Sequence, residues 1–341
     1  MAQRRITSYD VARAAGVSQT TVSFVLNKVA EANISEETRR RVLAAAEELG
    51  YVPDAAAQAL GRGRTQIIGI VVTTLDDPFI GGLVQTIESA AHDQGYVVIL
   101  ASFNDIPERE IAAAKMLQSR RVDGVIVASS RIGALYQGHL EQLRVPVVLI
   151  NSLAEPSDKF IFSVGVDNRH GGYLATAHLI QKGHQRIAYV ASPPDRSDNK
   201  ERMAGYRQAL AEADIGFDPS LVVPGTGRTG GGQQALPVLL SLNNPPSAVF
   251  CYNDMTAIGL IDAARKASLS LPQDLAIVGF DDIAFAQFSH PPLTTIVQPI
   301  AELGRTAIGL MLALLSDDAH GEVAVPNVTI QGRLIVRASS G

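Results

Sequence analysis

The sequence predicts an α/β protein in which a small all-helical head precedes a larger body of parallel sheets, and three observations predict it. Hydrophobic residues make up 46% of the 341 but aromatics only 5%, with no Trp, a balance that suits alanine-rich helices on Val/Ile strands better than an antiparallel sandwich. From residue 66 onward, short unbroken apolar runs alternate with helical patterns, the rhythm of strands covered on both faces. Before residue 66 the periodicity is helical throughout.

In the head, residues 8–27, SYDVARAAGVSQTTVSFVLN, read as two short amphipathic helices joined at Gly16. Thr7 is placed to cap the first, with Asp10 returning the bond, and Ser18 to cap the second. Val11, Ala12, Ala15, Val17, Val22, Val25 and Leu26 fall at helical spacing and close a small core, leaving Gln19, Thr20, Thr21 and Phe24 outward. That outward row suits entry into a DNA major groove, although helices alone fit any small three-helix module equally well. Residues 35–49 form a third helix, capped by Ser35, stopped by Gly50 and buried along Ile34, Val42, Ala46 and Leu49. PDAAAQAL, residues 53–60, reads as a short helix between Pro53 and Gly61 that is too short and too polar to hold alone, so a partner is expected to order it. The glycine and arginine stretch after it marks a linker and a boundary near residue 65.

In the body the apolar runs are residues 67–73, 97–102, 125–128, 147–150, 187–191, 221–223, 248–252 and 275–280. They fall into two blocks, divided near residues 151–166, which predicts two similar lobes. Ligands of open parallel sheets bind beyond the carboxyl ends of the strands, so the residues following each run matter most. They are mostly polar: Asp76, Asp77 and Phe79; Phe103 and Asn104; Ser129 to Arg131; Asn151; Asp195 and Arg196; Thr226 to Thr229; Asn253 and Asp254; Asp281 and Asp282. Carboxylates, amides and a guanidinium around a ring are the chemistry that holds a polyhydroxylated ligand, whose every OH both donates and accepts.

Charge divides the same way. The net charge is −5, yet residues 1–64 hold nine Lys/Arg against seven Asp/Glu, leaving 20 against 27 for the rest. An acidic body repels nucleic acid and confines binding to the mildly basic head. Cys251 is the only cysteine and sits in an apolar run, a buried small hydrophobe rather than a nucleophile. No apolar signal segment follows Arg4 and Arg5, so a cytoplasmic protein without a membrane association is expected.

Catalytic patterns are weak. Asp281 and Asp282 are neighbours that point apart on a strand end, and the seven histidines form no metal-ligand spacing, so neither a catalytic residue, a metal nor a cofactor is expected. GTGRTG, residues 225–230, satisfies the GxGxxG pattern and makes a nicotinamide-dependent oxidoreductase the rival reading. Pro224 stands where a strand should run straight into the turn, and the motif comes far too late in the chain to open a dinucleotide domain, so the loop reads better as a wall of the cleft.

Taken in order, YDVARAAGVSQTTVSFVLN, ISEETRRRV, LGYVPDAAAQAL, IIGIVV, DDPF, RRVDGVIV, VPVVLI, VDNRHGG, LIQKGHQRIAYV, ERMAGYRQAL, CYNDMTAIGL, LPQDLAIVGFDD and PPLTTIVQP resemble the LacI/GalR family of bacterial transcriptional regulators over almost the whole chain. The resemblance implies a helix-turn-helix DNA-binding domain at 1–51, a hinge helix and linker at 52–65, and an effector core like the periplasmic sugar-binding proteins at 66–341. Lobe 1 would take residues 66–165 and 297–325, and lobe 2 residues 166–296 and 326–341. It implies a homodimer on a pseudo-palindromic double-stranded operator, most often as a repressor, answering to a small polar effector such as a sugar. Base contacts carry over to Gln19, Thr20 and Phe24, phosphate contacts to Ser18, Thr21, Ser23 and Asn27, and a minor-groove wedge to Leu60. Phe24 departs from the hydrogen-bonding side chains common at its position and offers only apolar contact. Effector contacts carry over to Asp76, Phe79, Asn151, Arg202, Asn253, Asp281 and Gln298. Members commonly place a ring near Thr226; GTGRTGGG has none, which predicts a wider or wetter pocket on that side.

Overall fold

A computed structural model describes residues 6–27, 33–52, 63–104, 106–128, 140–152, 161–194, 196–316 and 327–341. Two compact units divide the chain between residues 66 and 67. The hinge segment 53–60, Leu60 with it, lies outside the described residues.

The first unit is built from α1 (Ser8–Ala15), α2 (Gln19–Leu26) and α3 (Glu36–Glu48). Each start is locally specified. Thr7 N donates to Asp10 Oδ2 at 2.9 Å, Ser18 Oγ accepts from Thr21 N at 3.1 Å, and Ser35 Oγ accepts from Thr38 N at 3.2 Å. Gly16, at φ 65°, ends α1 in the left-handed conformation that a glycine adopts without strain. Val11, Ala12, Ala15, Val22, Val25, Val42, Ala45 and Ala46 form the buried core, with Val17, Leu26, Ile34 and Leu49 packed around it.

The second unit holds two six-stranded sheets among the described residues. β1 (Ile67–Val72), α4 (Pro78–Asp93), β2 (Val97–Ser102), α5 (Pro107–Ser119), β3 (Gly124–Ala128), β4 (Val147–Ile150) and β5 (Ile161–Val166) begin the first lobe. The second lobe contains α6 (Asn168–Gln181), β6 (Ile187–Val190), α7 (Ser197–Glu212), β7 (Val222–Val223), α8 (Thr229–Leu240), β8 (Ala248–Cys251), α9 (Asp254–Lys266), β9 (Ala276–Asp281) and β10 (Thr294–Val297). The chain then returns through α10 (Ile300–Leu315) and β11 (Asn327–Ile330) to the first sheet and ends with β12 (Arg333–Ile335) in the second. Strand order is β11-β5-β4-β3-β1-β2 in one sheet and β12-β10-β9-β8-β6-β7 in the other. All pairings are parallel except β10 with β12. Helices cover both faces, so β3 and β8 are buried along their full length, as continuous apolar runs require. Cys251 is one of these buried strand residues, and burial pushes its thiol pKa up. Among the described residues, no helix is long and apolar enough to cross a membrane.

Ile161–Val166 is a full strand of the first sheet, so the divide falls at the end of the stretch 151–166, as the lobe bound at 165 has it. One expected boundary changes. Residues 326–341 do not all belong to the second lobe: β11 pairs with β5, held there by Ser163 Oγ donating to Asn327 Oδ1 and by burial of Ile330. The chain therefore passes between the sheets three times, after β5, after β10 and after β11.

Candidate functional site

One cleft gathers the carboxyl ends of both sheets. Thr73 and Thr74 enter after β1, Ala128 ends β3, and Ile150 and Asn151 close β4. From the second lobe come Arg196, Asp198, Arg202, Thr226, Gly227, Arg228, Tyr252, Asn253 and Asp281, with Gln298 at the crossing after β10.

Arg202 is the most constrained of these side chains. It is 2% exposed, projects from the middle of α7, and has its guanidinium 3.6 Å from the Phe280 ring centroid and 4.6 Å from that of Tyr252. Nε donates to Asn168 Oδ1 at 2.9 Å and Nη1 to the Tyr252 carbonyl at 2.6 Å, while Asp281 Oδ1 lies 3.8 Å from Nη1 and Asp198 Oδ2 4.0 Å from Nη2. Burial opposes its charge, but Tyr252, Asp198 and Asp281 outweigh that and hold its pKa above the usual value. Its position is set by glycine: a Cβ on Gly172 of α6 would stand 2.2 Å from the Arg202 carbonyl oxygen, so the two helices touch backbone to backbone there.

Asp281 ends β9 with φ 121° and is 4% exposed. Oδ1 accepts from Gln298 Nε2 at 2.6 Å, Gln298 Oε1 accepts from Asn151 Nδ2 at 3.1 Å, and Asn151 Oδ1 accepts from Val166 N at 3.2 Å. The relay thus spans the interlobe crossing. Burial holds the Asp281 carboxyl well above the ordinary range, with Arg202 opposing and Asp254 and Asp77 adding to the rise. Asp282 turns the other way and accepts from Arg337 Nη2 at 2.7 Å, as neighbours on a strand end must.

Of the residues expected to bind effector, Phe79, Asn151, Arg202, Asn253, Asp281 and Gln298 all line the cleft. Asp76 does not. It is exposed, and its neighbour Asp77 lines the wall instead, because Pro78 starts α4 and makes Asp77 the cap, whose Oδ1 accepts from Phe79 N at 3.0 Å. Asn253 is spent mainly on structure: Oδ1 accepts from Thr256 N and Thr256 Oγ1, and Nδ2 donates to the Gly227 carbonyl at 3.0 Å. The glycine loop 225–228 is a cleft wall, and the ring missing from it is supplied by Tyr252, whose Cε1 lies 3.5 Å from the position of a Cβ on Gly227. Tyr252 Oη donates to Asp198 Oδ2 at 2.5 Å, and burial raises the phenol pKa. Asp198 and Tyr252 escaped sequence reasoning, the second because it reads as the last residue of an apolar strand.

On the first unit, Ser18, Gln19, Thr20, Ser23 and Phe24 are exposed along α2, and Thr21 and Asn27 are half-buried. Phe24 is 41% exposed, which places its ring outside the core of the head.

Residues 7–54 match the bacterial regulatory proteins of the lacI family, and residues 176–340 match the periplasmic binding protein-like domain. The HTH-type transcriptional repressor PurR of Vibrio atlanticus (strain LGP32) is 36% identical over 315 residues, covering 91% of this chain and 92% of that protein. The Lac repressor dimer bound to operator and the anti-inducer ONPF superposes with a TM-score of 0.88 at 29% identity, covering 99% of each chain. A complex of the transcriptional regulator CelR with cellobiose gives a TM-score of 0.73 at 32% identity, over 98% of this chain and all of that one.

Proposed function

This chain belongs to the lacI family of bacterial regulatory proteins and is a DNA-binding transcriptional repressor, and from that premise we propose that a sugar bound in the cleft controls its hold on a two-fold symmetric operator. Two copies of the chain, acting in the cytoplasm, would each present α2 to a major groove. Gln19, Thr20 and Phe24 face the bases in this reading, and Ser18, Thr21, Ser23 and Asn27 the phosphates, with Leu60 wedged into the minor groove.

The relay from Asn151 through Gln298 to Asp281 carries the effector half of the proposal. It joins the two lobes at the floor of a cleft rich in carboxylates, amides and guanidinium groups, and Phe79 and Tyr252 give a pyranose or furanose ring apolar surface. A sugar hydroxyl that bonds Asp281 must join or displace the Gln298 amide, so occupancy bears directly on how the lobes meet. Cellobiose in the complex of the similar regulator supports the class. Coupling is reciprocal: the factor by which ligand changes operator affinity is the factor by which operator changes ligand affinity.

The test starts from a gel-shift selection on random duplexes, followed by titration of the selected operator complex with hexoses, pentoses, disaccharides, nucleosides and nucleobases. Enrichment of a symmetric site whose binding responds to a sugar is the expected result. A response to nucleosides or nucleobases alone would overturn the sugar assignment, and failure to enrich any two-fold site would overturn the operator model.

A further inference from the structure

Asp281 sits in a strained turn. It has φ 121° and Asp282 φ 56°, two consecutive positive values at residues that carry side chains. All the other non-glycine residues with positive φ among those described, Asp282 included, lie between 52° and 61°, inside the left-handed helical well. Asp281 lies beyond it, outside the regions open to a residue with a Cβ. Conformations of this kind cost free energy and persist only where the surroundings over-determine them. The cost bears on recognition, because the turn, rather than the pleat of β9, sets the direction in which the Asp281 carboxylate leaves the strand.

Three tethers hold the turn. Gln298 Nε2 bonds the Asp281 carboxylate, and Asp254 Oδ2 accepts from Ile283 N at 2.9 Å on the far side. The third comes from the strap of residues 336–340 that follows β12. Arg337 Nη2 donates to Asp282 Oδ1 at 2.7 Å and Nη1 to the Leu293 carbonyl at 2.8 Å, so one planar guanidinium ties the turn to the chain entering β10. The arginine is itself fixed. Its N–H donates to Thr294 Oγ1 at 2.8 Å, the same hydroxyl donates to its carbonyl at 2.9 Å, and two residues on Ser339 Oγ accepts from Thr294 N at 2.8 Å. Asp282 and Arg337 are half-buried and stand outside the cleft lining.

We propose that Arg337 is a positioning residue for effector recognition, holding through Asp282 the turn from which Asp281 meets the effector. A binding constellation is only as precise as the residues that lock it, and here the lock lies outside the cleft. Without the fork, Asp282 loses its charge-assisted partner and the strained backbone is free to relax toward an ordinary φ. That rotation would carry the Asp281 carboxylate away from Gln298 and from Arg202 Nη1, which lies 3.8 Å from its Oδ1. The pairing of β9 with β8 ends at Val278, before the turn, so the lobe keeps its sheet. The proposal rests on the reading of Asp281 as an effector contact, and not on the sugar class.

Calorimetric titration of the full chain with D-glucose, D-ribose, cellobiose, adenosine and adenine tests this, the tightest binder of these serving as the probe for the variants. Arg337→Gln and Asp282→Gly are each expected to weaken that binding about tenfold, in the range that residues outside a site contribute to it, and the double variant no more than either alone. Asp282→Asn, which keeps an acceptor for the guanidinium, should retain most of the affinity. Glycine adopts φ 56° without strain, so the urea midpoint of Asp282→Gly should stay close to that of the unsubstituted chain while its affinity falls. A merely structural role would not produce that divergence, and Asp282→Gly carries the test should Arg337→Gln fail to fold. Unchanged affinity in Asp282→Gly or in folded Arg337→Gln, or losses that add in the double variant, would overturn the positioning role. Asp281→Ala is the control. If it binds as tightly as the unsubstituted chain, or if none of the compounds binds, the reading of Asp281 as an effector contact fails and this proposal with it.

Discussion

Gln298 Nε2 donates to Asp281 Oδ1 at 2.6 Å, and the same side chain accepts from Asn151 at 3.1 Å, so one amide ties the end of β4 to the end of β9 across the interlobe crossing. Removing it in Gln298→Ala leaves the buried Asp281 carboxyl short of a partner, at about 1–3 kcal/mol if water does not replace it, and the half-buried Asn151 amide short of one at a smaller cost. Effector affinity is expected to fall at least about tenfold, with a smaller response of operator binding at saturating effector. Fluorescence anisotropy of labelled operator, titrated with effector, reads both quantities. An unchanged midpoint and amplitude would place the amide outside the coupling.

Asp254 should lower stability as pH rises from acid toward neutrality. Its carboxylate, fully buried at the start of α9, accepts from Ile283 N at 2.9 Å and from Thr295 Oγ1 at 2.5 Å, and burial pushes its pKa up to about 7, against a lesser pull downward from these two bonds. The unfolded carboxyl titrates near about 4, so between these values the native state holds more protons than the unfolded one and loses stability as pH increases. Asp281, also raised, adds to the same trend. Asp254→Asn keeps an acceptor for Ile283 N and lets the Thr295 hydroxyl turn to accept. Urea midpoints measured from pH 4.5 to 7.5 should show a flatter slope in the variant; an equal slope would count against this assignment.

The strands legible in the sequence are those whose apolar runs hold no polar side chain, such as β1, β3 and β4, because burial on both faces leaves a purely local signal. β5, β10 and β11 were not legible, since IFSVGV, TTIV and NVTI interrupt the run with polar groups. Those groups are satisfied at long range: Ser163 by Asn327, Thr295 by Asp254, Thr294 by Arg337 and Ser340. No local pattern announces a hydroxyl whose partner is 164 residues away. The cleft was more readable, because parallel sheets put ligands after the strands whatever the loops contain. The error at Asp76 was one of register. Pro78 decides which of two adjacent aspartates becomes the cap, and that signal was present in DDPF. Tyr252 was hidden because a strand-end tyrosine with a buried ring looks like core until its hydroxyl is traced to Asp198.

Gly205→Ala should damage the cleft from behind. A Cβ there would stand 1.9 Å from the Arg169 carbonyl oxygen and 2.6 Å from Tyr173 N, both backbone atoms of α6 that cannot rotate away. α7 must then shift outward, at a cost of about 1–3 kcal/mol for an overpacked core. Arg202 lies one turn earlier on α7, and its bonds to Asn168 and Tyr252 tolerate little displacement. The variant should melt several degrees lower and lose effector response more than operator binding. Equal loss of both would mean that the whole chain, not this helix pair, has been disturbed.

Phe24 offers the sharpest test of the DNA surface, because its ring is 41% exposed on a helix whose buried positions are Val22 and Val25. A ring left in water contributes little to folding, so Phe24→Ala should change the unfolding free energy by under about 0.5 kcal/mol. Against operator it should lose about 1–3 kcal/mol if the ring meets thymine methyl groups, and selection should relax at the bases it covers. Ser18→Ala provides the contrast: it removes the cap that Thr21 N uses, costs about 1 kcal/mol of helix stability, and weakens all duplexes without changing which bases are preferred. Binding selections on randomised duplexes with the two variants separate these patterns. A Phe24→Ala protein that unfolds, or one that keeps the base preferences intact, would return the ring to a structural role.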